Sequence, residues 1–419
     1  MRQSHPAQDG GSTGTVPVPA PALGVLRDLF RRLDQAGIRY CHWKSNEHLG
    51  AAMTGATDVD VLVDRGAAQR LTSILTETDD FKRFVVKAGR GYPGIEDYVG
   101  FDRATGALTH LHVHYQLTLG EKFLKGHRLP WEAIALDTRV LDPEHGVYVT
   151  DPHLELLILV ARAAIKLRWR DYGLALLGRR YFGGSMLREL RWLAARVRTD
   201  RLVAVAAPLV GGEAASMLGA LISGPAPSLR LLRAFRHHAQ PRLSEYRMYS
   251  TMGTVRRMWT REWTWIVWRG THIVLRAPTR STRTLPQGGV SVAFMGTDGA
   301  GATALAIQCA DWLAGEVAVT LQDCPRESAG AHSRRMWARR IRRTRSLGMV
   351  ALSDQLPGSP TPVDSRAGLV PLDLVIRVRK PEVAAPLTFP PGTRLAEIDE
   401  TISGDRILLQ AKLAIWERL

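Results

Sequence analysis

Two aspartates separated by one residue form the first pattern in this chain that could do chemistry. Asp58 and Asp60 stand at the head of an apolar run that predicts a β-strand over Val59–Val63. Because side chains alternate along a strand, both carboxylates lie on the same face. Their repulsion is relieved by a cation, and Mg²⁺ takes oxygen ligands and bridges to nucleotide phosphates. The pattern predicts a metal site at Asp58 and Asp60; two strand-end aspartates beside a turn are the alternative interpretation.

Residues on either side of this pair extend the predicted site. Lys44 and Ser45 end the preceding strand, where a backbone turn carrying a hydroxyl could hold a triphosphate. A later strand carries His110, His112 and His114 on one face. Of these, His112 could act as a general base near neutral pH or as a metal ligand. The same row of histidines is also compatible with one solvated strand face.

A glycine loop near residue 300 is a second centre of predicted chemistry. Gly296, Gly301 and Thr303 fit the phosphate-binding pattern Gly-x-x-x-x-Gly-Lys-Ser/Thr, but Ala302 occupies the lysine position. A strand enters the loop, and a helix leaves it with its N-terminus toward the loop, which is the geometry that binds phosphate. Asp298 and Gly299 belong to the same predicted nucleotide-binding loop. Because the lysine is missing, the loop predicts a P-loop fold with weak nucleotide binding and argues against phosphoryl transfer.

The elements that must position these residues divide the chain into segments. Periodicity predicts a helix over 22–36, a strand over 38–43, a short helix over 46–53, a helix over 67–78 and a hairpin over 95–117. From the helix start at Asp151-Pro152 helical patterns continue, with breaks at 211–212 and 224–225, and a long basic and aromatic helix is expected over 243–275. The predicted organisation is a disordered tail (1–20), an α+β domain (21–150), a helical extension (151–276), a linker (277–289) and a C-terminal α/β parallel-sheet domain (290–419).

The first domain resembles the polymerase-β-like nucleotidyltransferases over roughly residues 22–240. The matching residues are His42-Trp43-Lys44-Ser45, the segment 46–53, the strand with Asp58 and Asp60, and Leu111-His112-Val113-His114-Tyr115. The last stretch is similar to a branch with an Asp-x-His-Trp-like strand and a helical extension. The resemblance implies transfer of a nucleotidyl group from an NTP, with Mg²⁺, to a hydroxyl of a small molecule or glycan precursor. Lys44 replaces the family's usual glycine before the serine, and His112 replaces its third carboxylate.

The C-terminal domain resembles the thymidylate kinase family in four collinear stretches. They are the loop from Phe294 to Thr303, the strand 348–352 leading to Ser353-Asp354-Gln355-Leu356-Pro357, the strand 372–378 with Pro381-Glu382-Val383-Ala384, and the closing strand 396–399 with its terminal helix. Three departures from the family pattern imply a degenerate kinase module. They are Ala302, Gln355 in place of the arginine after Asp354, and the lack of lid arginines in residues 385–393. Two alternatives stay open: a non-catalytic nucleotide-binding or scaffolding subunit with a protein partner, and a thymidylate-kinase-like phosphotransferase.

Charge and composition favour anionic partners. The chain has 419 residues and a formal net charge of +16, which suits nucleotides, phosphorylated metabolites or an acidic membrane surface. Nucleic acid is disfavoured because no known nucleic-acid-binding fold accompanies the arginine cluster at 334–345. The segment 256–276 carries tryptophans and arginines and predicts either peripheral membrane contact or a helix packed between domains. With no signal peptide and no apolar run of about 18 residues, the sequence predicts a cytoplasmic protein.

Overall fold

The computed structural model combines a mixed sheet, a separate parallel sheet and helices that cover both. It describes residues 21–86, 91–121, 124–167, 171, 184–224, 227–275, 283–296, 299–322, 341, 343, 346–353, 372–379 and 392–419. Within these ranges, no helix is both long enough and apolar enough to cross a lipid bilayer.

The mixed sheet contains eight of the described strands, in the order β10-β3-β4-β5-β2-β1-β9-β8. Its strands are β1 (Tyr40–His42), β2 (Val59–Val63), β3 (Phe81–Val86), β4 (Ile95–Phe101), β5 (Leu108–His114), β8 (Val140–Asp142), β9 (Val147–Val149) and β10 (Arg283–Thr284). The pairs β2–β5 and β1–β9 are parallel, and the other pairs are antiparallel. The predicted hairpin over 95–117 is confirmed as β4 and β5. A two-stranded ribbon of β6 (Leu117–Glu121) and β7 (Leu124–Leu129) follows the sheet.

Four helices pack on or near this sheet; the first three lie within predicted helices, and the fourth was not predicted. They are α1 (Gly24–Gln35), α2 (Leu49–Met53), α3 (Ala68–Glu77) and α4 (Glu132–Asp137). Helix α1 buries Leu26, Leu29, Phe30 and Leu33, which lie on one face because they are three or four residues apart. The Asp102 carboxylate accepts a hydrogen bond from the Val25 backbone amide at 3.3 Å. This contact attaches the start of α1 to the turn between β4 and β5.

The helical extension has its own apolar core. Its helices are α5 (Pro152–Lys166), α6 (Gly184–Ala194), α7 (Thr199–Val210), α8 (Gly212–Ser223), α9 (Leu229–Glu245) and α10 (Thr251–Leu275). Helix α5 is buried on most of its surface and begins at the predicted Asp151-Pro152, where the Asp151 carboxylate accepts the His153 amide. The predicted break at Gly211 is confirmed, with φ of 93°, a backbone conformation that glycine adopts easily.

The predicted helix over 243–275 was wrong at its N-terminal end. Helix α9 stops at Glu245, and α10 starts at Thr251. Between them, the Tyr246 carbonyl accepts the Arg128 amide at 2.8 Å, and the Met248 amide donates to the Gly126 carbonyl at 2.9 Å. The backbone therefore pairs with β7 at this point instead of continuing the helical hydrogen bonds.

The C-terminal sheet is parallel throughout its described strands, in the order β12-β13-β11-β14-β15. The strands are β11 (Val290–Gly296), β12 (Val319–Gln322), β13 (Leu347–Ser353), β14 (Leu374–Arg379) and β15 (Arg394–Asp399). Helix α11 (Gly299–Ala314) follows β11, and α12 (Gly404–Arg418) closes the chain. All four predicted strands of this domain are confirmed. The predicted helix at 381–384 lies outside the described residues.

The two sheets share one hydrophobic core. Phe84, Val99 and Phe101 of the mixed sheet are buried together with residues of the C-terminal domain, among them Trp416. The Trp416 indole stacks on Phe101 at 5.3 Å and donates a hydrogen bond to the Asp79 carbonyl at 2.7 Å. The segment predicted as a linker also contributes, because β10 adds to the edge of the mixed sheet beside β3.

Candidate metal and nucleotide site

The carboxylate of Asp60 lies at the centre of the candidate site. Its Oδ1 atom is 2.9 Å from Lys44 Nζ, 3.3 Å from His112 Nδ1 and 3.1 Å from His114 Nε2. The parallel pairing of β2 with β5 sets Asp60 opposite His112, and β1 beside β2 leads to Lys44. The structure thus brings together three residues that the sequence singled out: Asp60, His112 and Lys44.

Asp58 is the exposed member of the pair. Its Oδ1 atom lies 2.9 Å from His110 Nδ1, and its Oδ2 atom lies 3.9 Å from His112 Nδ1. His112 Nδ1 therefore faces both aspartates. This agrees with the prediction that strand alternation places the two carboxylates on the same face.

Asp97 is a third carboxylate of this cluster that the sequence did not identify. Strand β4 sets Asp97 opposite His112, and its Oδ1 atom lies 3.0 Å from His112 Nε2 and 3.2 Å from His110 Nε2. The antiparallel hairpin register could have located it. Counting outward from the turn at 102–107 pairs Asp97 with His112, although no local motif marks Asp97.

The electrostatics of the cluster follow from burial and close pairing. Burial alone would raise the pKa of Asp60, but Lys44, His112 and His114 hold it well below its usual range. The pKa of Asp97 is likewise lowered, because its hydrogen bonds with His110 and His112 outweigh burial. Burial would lower the pKa of His112, yet hydrogen bonds with Asp60 and Asp97 raise it to about 9. In contrast, burial lowers the pKa of His114 to about 3. His112 is thus a cation between two carboxylates, whereas His114 is neutral.

Two overlapping groups of side chains have the spacing of metal ligands. They are Asp58, His110 and His112, and Asp60, His112 and His114; the ligand atoms of each lie within 4.8 Å of one another. Carboxylate oxygens fit Mg²⁺ and Mn²⁺, whereas imidazole nitrogens suit Zn²⁺ and other transition metals better. The residues therefore fit a divalent cation, and the mixed oxygen and nitrogen donors favour a transition metal over the predicted Mg²⁺.

The turn after β1 lies against two carboxylates of the helical extension. Ser45 adopts a left-handed conformation, with φ of 57°, which is uncommon for a residue other than glycine. Its hydroxyl donates to Glu189 Oε1 at 3.4 Å. The next residue, Asn46, donates its backbone amide to Glu155 Oε1 at 2.9 Å and its side-chain amide to Glu155 Oε2 at 2.7 Å. Glu155 of α5 and Glu189 of α6 thus fix the turn through these hydrogen bonds.

Two further lysines lie near Lys44 and were not identified from the sequence. Burial, followed by the charge of Lys44, lowers the pKa of Lys125 to about 8. The pKa of Lys166 is also lowered, first by burial and then by Arg162 and Lys44. Mutually repelling, partly dehydrated ammonium groups are stabilised by a bound polyanion. No sequence motif connects Lys125 in β7 with Lys166 in α5, because only the tertiary fold brings them together.

The described residues of the predicted glycine loop lie at the C-terminal end of the central strand of the parallel sheet. Gly296 ends the central strand β11 between Ser353 and Val378, and Gly299 and Gly301 lie in the first turn of α11. Ala302 is buried in the core shared by the two sheets, and Thr303 is half-buried. The predicted positions Asp298, Asp354 and Gln355 lie outside the described residues.

Comparison with known proteins identifies no family. No protein-family model matches the chain, and no curated protein matches it. Among solved structures, one described as "Crystal structure of JHP933 from Helicobacter pylori" is similar over 53% of this chain and 90% of that chain, at 12% identity and a TM-score of 0.22. A likeness at this TM-score carries no argument about fold or function.

Proposed function

We propose that the chain is a metal-dependent nucleotidyltransferase whose site is built on Asp58, Asp60 and His112. The observation that carries the proposal is the convergence of these ligand atoms with the cationic cluster of Lys44, Lys125 and Lys166. A divalent cation and a triphosphate together match this arrangement, because one needs anionic and imidazole ligands and the other needs ammonium groups. The acceptor would be a hydroxyl of a small molecule or a glycan precursor.

Each side chain has a definite role in this proposal. Asp58 and Asp60 would offer carboxylate oxygens to the cation, and His112 would offer Nδ1 once the cation replaces the proton on that nitrogen. Asp97 accepts the proton on His112 Nε2, which keeps Nδ1 directed at the two aspartates. Such carboxylate–histidine contacts orient the ligand ring and raise its basicity. The geometry therefore favours His112 as a metal ligand over the general-base role that the sequence also left open.

The cationic cluster would hold the triphosphate, and a bound cation would polarise the phosphate that is attacked. Lys44 belongs to both parts of the site. Its ammonium group pairs with Asp60, and its charge lowers the pKa values of Lys125 and Lys166. Ser45 follows Lys44 in the same turn, and its hydroxyl would exchange Glu189 for a phosphate oxygen. A triphosphate bound there would place its charged tail beside the metal ligands.

We propose further that the C-terminal domain is a degenerate kinase-like P-loop module. Its support is a parallel sheet whose first strand, β11, is central and is followed in sequence by glycines and by α11. Phosphoryl transfer relies on neutralising the charge of the phosphates. Ala302 offers no ammonium group and is buried, so the domain would serve structure and weak nucleotide contact.

A non-catalytic function is the second candidate, and one observation favours it. The carboxylates are already neutralised by protein cations, since Lys44 and His112 both contact Asp60 Oδ1. A chain that retained the fold but served as a scaffolding subunit could keep such internal ion pairs without any metal.

Calorimetric titration of an NTP with and without Mn²⁺ or Mg²⁺ separates the two candidates. The proposal expects metal-dependent NTP binding that is lost in the Asp58→Asn/Asp60→Asn variant. The matched control is Asp28→Asn/Asp200→Asn, which makes the same charge change at exposed positions and should bind as wild type does. Equal NTP binding by the site variant and wild type would refute the proposal. Absence of any metal-dependent binding in wild type would favour the scaffolding candidate.

A further inference from the structure

Helix α10 presents an apolar face to solvent. Met252 is 81% exposed, Trp259 is 69% exposed and Trp263 is 64% exposed. Val255, Ile266 and Val267 are also exposed. Large apolar side chains normally face a protein core. A contiguous group of exposed apolar side chains marks a surface that binds another protein, a ligand or a membrane.

The exposed apolar side chains share one side of the helix. Met252, Trp259, Trp263 and Ile266 are separated by seven, four and three residues, which places them along one stripe. Thr254, Met258 and Arg261 are half-buried and lie on the opposite side, because they are offset by about half a turn from the stripe. The helix thus packs on the protein with its more polar side and leaves its apolar side uncovered.

The chemistry of the helix fits an anionic lipid surface. Its sequence has Arg256, Arg257, Arg261 and Arg269 against the single acidic residue Glu262, and Arg256 and Arg257 are exposed. Tryptophan has an apolar ring with a polar N–H group, and it is enriched where hydrocarbon meets water. Arginine beside such a stripe can reach phosphate groups while its stem stays in the apolar layer. The chain's net charge of +16 adds attraction to the same surface.

The inner side of the same helix lies against the rim of the candidate site. Arg261 donates to the Gly91 carbonyl at 3.4 Å and lies 4.9 Å from the centre of the Tyr92 ring. Lys125 of the cationic cluster lies 4.6 Å from the centre of that ring. A surface that contacts the outer stripe would therefore hold the site close to it.

We propose that α10 is a membrane-docking helix that lies in the interface of an anionic bilayer through Met252, Trp259, Trp263 and Ile266. Arg256, which is exposed and next to the stripe, binds lipid phosphates. The inference rests on the exposed face of α10 and not on the chemistry at Asp58 and Asp60, so it stands or falls independently of the proposed function.

Co-sedimentation of the full-length protein with vesicles tests the proposal. Two compositions are compared, phosphatidylcholine alone and phosphatidylcholine mixed with phosphatidylglycerol. We expect binding to the anionic vesicles that falls about tenfold or more in Trp259→Ser/Trp263→Ser, since membrane affinity scales with buried apolar area. Arg256→Gln should lower binding to anionic vesicles and make the remaining binding less sensitive to salt, because a charge that salt screens has been removed. The matched control is Val140→Ser/Leu141→Ser, which removes exposed apolar side chains of β8 and should bind as wild type does.

Three results would overturn the proposal. One is the absence of vesicle binding by wild type. Another is unchanged binding by the tryptophan variant, which would assign any attraction to net charge alone. The third is a wild-type dimer in sedimentation velocity that the tryptophan variant loses while vesicles bind neither protein, because a second copy would then cover the stripe. Circular dichroism melting of the variant should match wild type, since both tryptophans are exposed; a loss of folding would also contradict the assignment of a free face.

Discussion

His112 Nε2 lies 3.0 Å from Asp97 Oδ1, while Nδ1 of the same ring lies 3.3 Å from Asp60 Oδ1. One imidazole thus connects the aspartates at β2 with a carboxylate on β4, across the intervening strand β5. Because both nitrogens are engaged, the ring cannot rotate without breaking a contact. Asp97 thereby determines which nitrogen faces the proposed cation.

Neutralising Asp97 should weaken metal binding without unfolding the protein. Loss of such an outer contact to a metal-binding histidine typically costs about 10–100-fold in metal affinity, and we expect Asp97→Asn to lower Mn²⁺ affinity by that amount. Calorimetric titration of Mn²⁺ without nucleotide measures the change directly. Glu96→Gln is the matched control, because Glu96 is the adjacent residue and contacts Arg83 and Tyr98 instead of a site histidine. Wild-type Mn²⁺ affinity in Asp97→Asn would show that Asp97 does not position a ligand.

Removing the Lys125 charge should weaken the binding of nucleoside triphosphates more than that of monophosphates. A hydrogen bond to a charged group contributes about 1.5–3 kcal/mol, so Lys125→Met should weaken NTP binding by about 10- to 100-fold. Binding of the matching monophosphate should change little, since it lacks the terminal phosphates. Lys82→Met serves as the control, because Lys82 pairs with Asp79 away from the site. If the triphosphate and the monophosphate lose the same affinity, Lys125 does not contact the terminal phosphates.

Local sequence patterns predicted much of the fold and the centre of the site. The spacing of Asp58 and Asp60 fixed their common face, and the alternation of His110, His112 and His114 placed them on one side of β5. These are short-range consequences of strand geometry. The helix start at Asp151 was equally readable, because a capping carboxylate followed by proline is a local signal.

The remaining site residues depend on pairings between distant segments. Asp97 reaches His112 through the register of β4 on β5, and Lys125 approaches Lys44 only after β7 folds beside the sheet. The end of α9 at Glu245 was missed for a similar reason. Residues 246–248 have no strong helix breaker, and their hydrogen bonds to β7 replace the helical ones. The tryptophans and arginines of α10 were evident in the sequence, but which side of the helix faces solvent was not.

Trp416 should couple the stability of the two sheets. Its ring is fully buried and stacks on Phe101 of β4 although it belongs to the terminal helix α12. Replacing a buried tryptophan by alanine typically costs about 3–5 kcal/mol. We therefore expect Trp416→Ala to lower the free energy of unfolding by that amount in urea denaturation. Trp259→Ala is the control and should change it by less than about 0.5 kcal/mol, since Trp259 is exposed. If Trp416→Ala shifts only a separate unfolding transition of the C-terminal domain, the two sheets do not share a core.

Glu155 should make stability depend on pH. Burial raises its pKa to about 8 from the usual 4.5 of glutamate, despite the hydrogen bonds from Asn46 that oppose this rise. The folded state therefore binds the proton more tightly than the unfolded state does. The stability that this proton contributes is complete below pH 4.5 and is lost as the pH rises through about 8. Glu155→Gln cannot ionise and should not show this loss.

Urea denaturation of wild type and Glu155→Gln near pH 5 and near pH 8.5 measures the difference. One pKa unit corresponds to about 1.4 kcal/mol, so the variant should gain a few kcal/mol relative to wild type between these two conditions. Glu144→Gln, at an exposed position, should track wild type at both. If the gap between Glu155→Gln and wild type is the same at the two pH values, the hydrogen bonds from the Asn46 backbone and side chain outweigh burial and keep Glu155 ionised in the folded protein. The turn that holds Ser45 would then rest on a buried carboxylate anion instead of a neutral acid.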